Sequence, residues 1–157
     1  MNAKRIVLAG LAAGLVMNVL DFVNNALIFG EAWGEAYKAL GLSAENLGIP
    51  AFWIAFDFVL GVVLAFLYAS LRPRWGAGPR TALIAGALAW FLIHLTLASH
   101  MIDGVYPVRV LLGTGGLELI SELAGALVAG RLYVESTAAR ADVVELARAG
   151  ERQRSSA

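Results

Sequence analysis

Hydrophobic residues run along this chain in four long blocks, and each block is interrupted on one side only. Residues 6–29 are mostly Leu, Val, Ile, Ala and Phe, yet they carry Asn18, Asp21, Asn24 and Asn25. At about 100° per residue, Gly10, Gly14, Asn18, Asp21 and Asn25 fall inside a wedge of roughly 80°. One face of the predicted helix is therefore small and then polar, and the rest is greasy. Further blocks lie at 51–71, 81–98 and 108–133, each near the ~20 apolar residues that a bilayer-spanning helix needs. The pattern predicts an all-α fold, a polytopic membrane four-helix bundle over residues 1–133.

The other blocks repeat the logic of the first. Trp53, Asp57, Gly61, Ala65 and Tyr68 share one side of the second predicted helix. Ala82, Gly86, Trp90 and His94 form an i+4 ridge on the third. Gly115, Glu118, Glu122, Gly125 and Ala129 lie within roughly 80° on the fourth. Small residues let membrane helices approach closely, because no hydrophobic force drives them together in lipid. Four such stripes predict one bundle with a polar interior.

The connections are short. Residues 72–80 read Arg-Pro-Arg-Trp-Gly-Ala-Gly-Pro-Arg, and their Pro and Gly stop the helices on either side. In residues 30–50, Trp33, Tyr37 and Leu40 recur at helical spacing, and Ser43 is placed to cap a further turn. A short outer interfacial helix is expected there, its aromatic side toward lipid. The tail 134–157 changes to a charged composition; Glu145 and Arg148 sit at i,i+3, so it is expected to be partly helical and then disordered.

Charge changes the picture by giving an orientation. Lys4 and Arg5, then Arg72, Arg74 and Arg80, then Arg131, Arg140, Arg148, Arg152 and Arg154 fall on one side; Lys38 and Arg109 fall on the other. The excess of basic residues marks the cytoplasmic side, so both termini are expected inside. The first sixteen residues look like a signal peptide, but the apolar run continues well past a signal core, so retention is expected. Twelve basic and twelve acidic residues cancel, which gives no support for a nucleic-acid partner. The chain has no cysteine, which excludes disulfides, thiolate metal sites, thiol catalysis and lipoprotein anchoring.

Depth brings the candidate chemistry together. Counted from the nearest arginine at about 1.5 Å per residue, Asp21, Asp57, His94 and Glu118 all lie roughly 20 to 24 Å from the basic side. Glu122 sits about one turn lower. Such a layer is costly. The eleven Leu, Ile and Val residues of block 108–133 favour insertion by about 3 to 6 kcal/mol, and its two glutamates oppose it by about 5 to 7. That helix needs its neighbours. Ionisable residues inside a membrane commonly mark ion or proton pathways. Asp21, Asp57, His94, Glu118 and Glu122 are therefore the candidate proton- or ion-binding residues, with Asn18 and Asn25 in support. The competing reading makes them interhelical glue, hydrogen-bonded without exchanging anything. Asp, Glu and His also suit zinc, manganese or iron. No His-Glu-x-x-His or Glu-x-x-His pair is present, so the metal stays unknown and no cofactor is expected. Nucleophile-elbow and phosphate-cradling motifs are missing as well, and an enzyme is the weakest class.

Arg5-Ile6, Ala9-Gly10, Gly14, Asn18, Gly30 and Trp33 form one recognisable set, and Tyr68, Arg72-Pro73-Arg74, Gly76, Gly78-Pro79, Thr81-Ala82 and Ala85-Gly86 a second. Together they resemble a family of small uncharacterised bacterial membrane proteins with four transmembrane helices. The resemblance covers residues 5–133 and implies the fold and a place in the bacterial cytoplasmic (inner) membrane; it brings no activity with it. The expected partners are the lipid bilayer and, because four helices enclose little space, a homo-oligomer or a larger membrane complex. The expected function is binding or translocation of a proton or small cation, the alternative a non-catalytic accessory or structural membrane subunit.

Overall fold

The structure is a computed structural model that describes residues 1–43 and 48–134. The fold is all-α. Helix α1 spans Ala3–Phe22 and runs into one π-helical turn, Val23–Ile28. Helix α2 is short, Gly30–Ala39. The remaining long helices are α3, Gly48–Trp75, α4, Pro79–Ile102, and α5, Val108–Leu132. Four of these segments, of 26, 28, 24 and 25 residues counting α1 with its π turn, are long and apolar enough to cross a membrane. The chain is thus a multi-pass membrane protein. The expected tail at 135–157, with its Glu145–Arg148 pair, lies outside the described residues, as does the turn expected after Ser43.

The helix limits follow from local chemistry. The Asn2 side chain accepts from the Arg5 N–H at 3.1 Å and caps α1. Helix α3 extends beyond its expected span at both ends. Pro50 falls in its first turn, where the missing N–H costs nothing, and Pro73 falls in its last. Gly76 then turns to φ 83°, and its N–H bonds Arg72 O at 3.0 Å, an αL cap that only glycine adopts easily. Pro79 opens α4 at its first turn.

Packing is inside-out relative to a soluble bundle. The interior is built from Ala9, Ala13, Ala65, Ala69, Ala85 and Ala129, with Met17 and Leu64 fully enclosed. Leu15, Phe22, Val59, Leu95 and Ile120 are exposed, where lipid solvates them at no cost. Helix α1 packs against α3 and α5, and α4 against α5 and α3. The α1–α3 seam is the tightest. A Cβ on Gly14 would lie 2.7 Å from Phe58 Cα and 2.8 Å from Asp57 O. One on Gly61 would lie 2.5 Å from Gly14 N, and one on Gly10 would overlap the Val62 backbone. Gly10, Gly14 and Gly61 thus let two backbones touch.

Tyr133 ties the arginine end together. Its hydroxyl accepts from Asn2 N at 3.4 Å, its ring meets Tyr68 edge-on at 6.3 Å, and the Arg72 guanidinium stacks over it at 5.9 Å. Arg5 also bonds Val134 O. The far end is different: there the interior turns polar.

Candidate functional site

The predicted layer assembles in the far half of the bundle. His94 Nε2 and Glu118 Oε2 are 3.0 Å apart, which joins α4 to α5. The other ring nitrogen, Nδ1, sits 2.9 Å from Trp90 O, and the two rings stack at 4.7 Å. Trp90 in turn donates its indole N–H to Gly115 O at 2.8 Å. Gly115 leaves room for the imidazole, since a Cβ there would stand 2.9 Å from His94 Cδ2. The Trp90–His94 ridge read from the sequence is therefore one face of the site.

Helix α1 contributes from the opposite side. Asp21 lies beside Ser121 of α5, whose hydroxyl donates to Met17 O at 3.5 Å, and within electrostatic reach of Glu118. Asp57 of α3, 7% exposed, interacts with both Asp21 and Glu118. Glu122, 4% exposed, interacts with His94, Glu118, Asp21 and Asp57. All five predicted ionisable residues are thus neighbours. Glu118 and Glu122 interact with the His94 imidazole, and Asp21 and Asp57 interact with Glu118 and Glu122 beyond it.

The supporting residues divide. Asn18 bonds back to Gly14 O at 2.9 Å and across to Ile54 O at 3.2 Å, closing the α1–α3 seam just above its glycines. Asn25 does not join the layer. Its Oδ1 accepts the Trp33 indole N–H at 2.9 Å, which fastens α2 to the end of α1. The aromatic side of α2, expected toward lipid, is turned to the protein: Trp33 and Tyr37 pack at 5.4 and 6.5 Å on Tyr106 of the α4–α5 loop. Tyr37 also lies beside Trp53 of α3. Burial, with Tyr106 beside it, pushes the Tyr37 phenol above its ordinary pKa. The aromatic spacing signalled this helix correctly; the partner for its rings lay 70 residues away in the sequence.

Asn24 is the residue that the polar wedge misses. It is 3% exposed and donates to Thr114 O of α5 at 3.1 Å. At about 100° per residue Asn24 falls roughly 40° outside the wedge, on the Gly10 side, and α1 packs on α5 as well as on α3, so this flank is buried too. It also stands in the π turn, in which the Phe29 N–H reaches back five residues to Asn24 O at 2.9 Å. Isolated π turns are frequent at functional sites, and this one begins two residues after Asp21.

Three buried oxygens here have no hydrogen-bond partner among the described residues: Asp21 Oδ1, Asn24 Oδ1 and Glu122 Oε2. All three are acceptors, and each unpaired buried acceptor costs roughly 1 to 3 kcal/mol. They call for a donor or a positive charge. The carboxylates do not converge on one point, however, and no three His, Asp or Glu residues among the described ones form a metal-holding cluster. Set against protein-family models, curated proteins and solved structures, the chain matches none of them. The chemistry of the layer is therefore the ground on which a function is argued.

Proposed function

We propose that the protein binds, and passes on, a proton or small cation at the Asp21, Asp57, His94, Glu118 and Glu122 layer. The observation that carries the reading is the set of unpartnered acceptor oxygens, Asp21 Oδ1, Asn24 Oδ1 and Glu122 Oε2, inside a membrane-spanning bundle. A layer built only as glue would pair its acceptors with donors, as His94 pairs with Glu118. Here acceptors outnumber donors, and a proton, a hydronium ion or a small cation supplies what is missing. In this reading the membrane is a bacterial cytoplasmic one and both termini face inside; the arginines at 5, 72, 74, 80 and 131 support the orientation. An oligomer would extend the path beyond one four-helix chain.

A specific observation favours the second reading, a non-catalytic accessory subunit. His94–Glu118, Asn24–Thr114 and Asn18–Ile54 each bridge two helices, as structural polar contacts do. Thermal unfolding of the purified protein in detergent separates the two. Addition of Na⁺, K⁺, Ca²⁺ or Mg²⁺, or a change of pH, should shift the wild-type midpoint, and Asp57→Asn and Glu118→Gln should abolish the shift. A midpoint indifferent to all of these cations and to pH from 5 to 9 would leave the accessory reading in place of this one.

A further inference from the structure

The hydrogen bonds of His94 fix how many protons it shares with its partner. Its Nδ1 stands 2.9 Å from Trp90 O, and its Nε2 stands 3.0 Å from Glu118 Oε2. A carbonyl oxygen can only accept, so Nδ1 carries a hydrogen and donates it to Trp90 O. A neutral imidazole protonated at Nδ1 offers only a lone pair at Nε2. Facing an ionised carboxylate at 3.0 Å, that lone pair would be repelled. The contact therefore contains a second hydrogen. It belongs either to an imidazolium that donates to the Glu118 carboxylate, or to a Glu118 carboxylic acid that donates to the imidazole. The two forms have the same number of protons and the same net charge. They differ by the shift of one proton along one hydrogen bond.

The surroundings suit that proton. Trp90 lays its ring against the imidazole at 4.7 Å and 24°, the placing in which an aromatic face attracts a cation. The Trp90 indole N–H is tied to Gly115 O at 2.8 Å, which holds the ring there. No Lys or Arg occurs in residues 6–29, 51–71, 81–98 or 110–130, so His94 is the only side chain of these spans that can become a cation. The titratable groups around it are all acids. Glu118 and Glu122 of α5 interact with it directly, and Asp57 of α3 and Asp21 of α1 interact with those two. Glu122 is 4% exposed, and its Oε2 has no hydrogen-bond partner among the described residues. It stands one turn along α5 from Glu118, the next carboxyl oxygen able to take a proton.

We infer that the cargo of the layer is the proton, and that the His94–Glu118 pair carries it. The assignment rests on the proton-or-cation reading of the layer and narrows it. A proton needs one acceptor at a time. A metal ion such as Na⁺, Ca²⁺ or Mg²⁺ sheds its water onto several oxygens that close around one point, and no three of the acidic or histidine side chains among the described residues close in that way. When the pair gives up its proton, one N–H or O–H bond breaks in the His94–Glu118 contact and one O–H bond forms on the acceptor, for which Glu122 Oε2 is placed. The pair is left as a neutral imidazole beside a carboxylate, and Nδ1 keeps its hydrogen throughout. Chains of Asp, Glu and His carry protons in this manner within membranes.

Imidazole ¹⁵N resonances read the two ring nitrogens separately. The chain has two histidines, and His100→Gln identifies the signals of His94 by difference. The full-length protein, labelled with ¹⁵N-histidine, is taken from pH 5 to 9 in detergent micelles with tetramethylammonium as the only added cation. The expected result is an Nδ1 that stays protonated at every pH and an Nε2 resonance that moves in a single step. Na⁺, K⁺, Ca²⁺ or Mg²⁺ added at fixed pH should leave both where they are. Glu118→Gln supplies an amide N–H to Nε2, so in that variant the imidazole should stay neutral and protonated at Nδ1 over the whole range. An Nδ1 that loses its hydrogen, an Nε2 that does not move, a step that survives in Glu118→Gln, or resonances that follow a metal ion at fixed pH would overturn the inference. The unfolding midpoint of the wild type is measured in the same samples. If a cation shifts it while Nε2 stands still, only the proton assignment is wrong and the layer still binds a cation. If the midpoint and Nε2 are both indifferent to pH and to every cation, the broader reading fails as well.

Discussion

Gly61→Ala adds one carbon at the point where α1 and α3 touch, and its cost can be worked out from the contact. The new Cβ would lie 2.5 Å from Gly14 N and 2.9 Å from Gly14 Cα. Ordinary contact between heavy atoms begins near 3.5 Å, so the backbones must part by roughly 1 Å. Neither neighbour is a flexible side chain that could swing aside. Overpacking of this kind costs about 1 to 3 kcal/mol. Separation also stretches the Asn18–Ile54 bond, now 3.2 Å, and interhelical bonds of this kind in a membrane are worth about 0.6 kcal/mol. Against this, alanine gains up to about 1 kcal/mol over glycine in helix propensity. The net expectation is a loss of about 0.6 to 2.6 kcal/mol, a roughly 3- to 80-fold fall in the folding equilibrium. Gly116→Ala is the control, because a Cβ at Gly116 would meet nothing within 4 Å. Reversible unfolding in mixed micelles, titrated with a denaturing detergent, measures both. If Gly61→Ala were as stable as wild type, or Gly116→Ala fell equally far, the close-contact account of the α1–α3 seam would be refuted.

Three further outcomes are expected. A reporter active only outside the cytoplasm and fused after Ala157 should stay silent, whereas activity there would reverse the orientation drawn from the arginines. Trp33→Phe removes the donor to Asn25 Oδ1 and should cost about 1 kcal/mol or less, loosening α2 so that amide exchange over Gly30–Ala39 quickens while that of α5 is unchanged; equal exchange in both proteins would detach Trp33 from the role of fastener. A double-mutant cycle of His94→Ala and Glu118→Ala should give a coupling of about 0.6 to 1.7 kcal/mol in the unfolding free energy. Strict additivity would mean the pair does not form.

Much of this fold was legible because a bilayer imposes a simple rule: every spanning segment must be long, apolar and helical. Runs of Leu, Val and Ile therefore located the four helices, and Pro73, Gly76, Gly78 and Pro79 located the hairpin between α3 and α4. Small residues at i+4 spacing announced the faces that touch, and Gly10, Gly14 and Gly61 are where the backbones meet. Depth counting from the arginines brings Asp21, Asp57, His94 and Glu118 to one level, and Glu118 interacts with each of the other three. What one helix's pattern cannot carry is its partner. That Asp21 meets Ser121, or that Trp90 reaches Gly115, depends on the order of helices around the bundle. Asn24 lies just outside the wedge for a related reason: the stripe marks one face, whereas α1 packs on both α3 and α5 and buries a wider arc. The rings of α2 were assigned to lipid because an interfacial aromatic has that option in any sequence. Tyr106 and Trp53 offered them a better surface.

The central claim is that carboxyl groups buried in the bundle exchange a proton or bind a cation. Infrared difference spectroscopy of the reconstituted protein reads those groups directly, on a change of pH and on addition of a cation. The account predicts carboxyl bands in the wild-type difference spectrum that Asp57→Asn and Glu122→Gln remove while the amide bands stay as they are. A wild-type spectrum without carboxyl changes, or one that both variants reproduce in full, would contradict it.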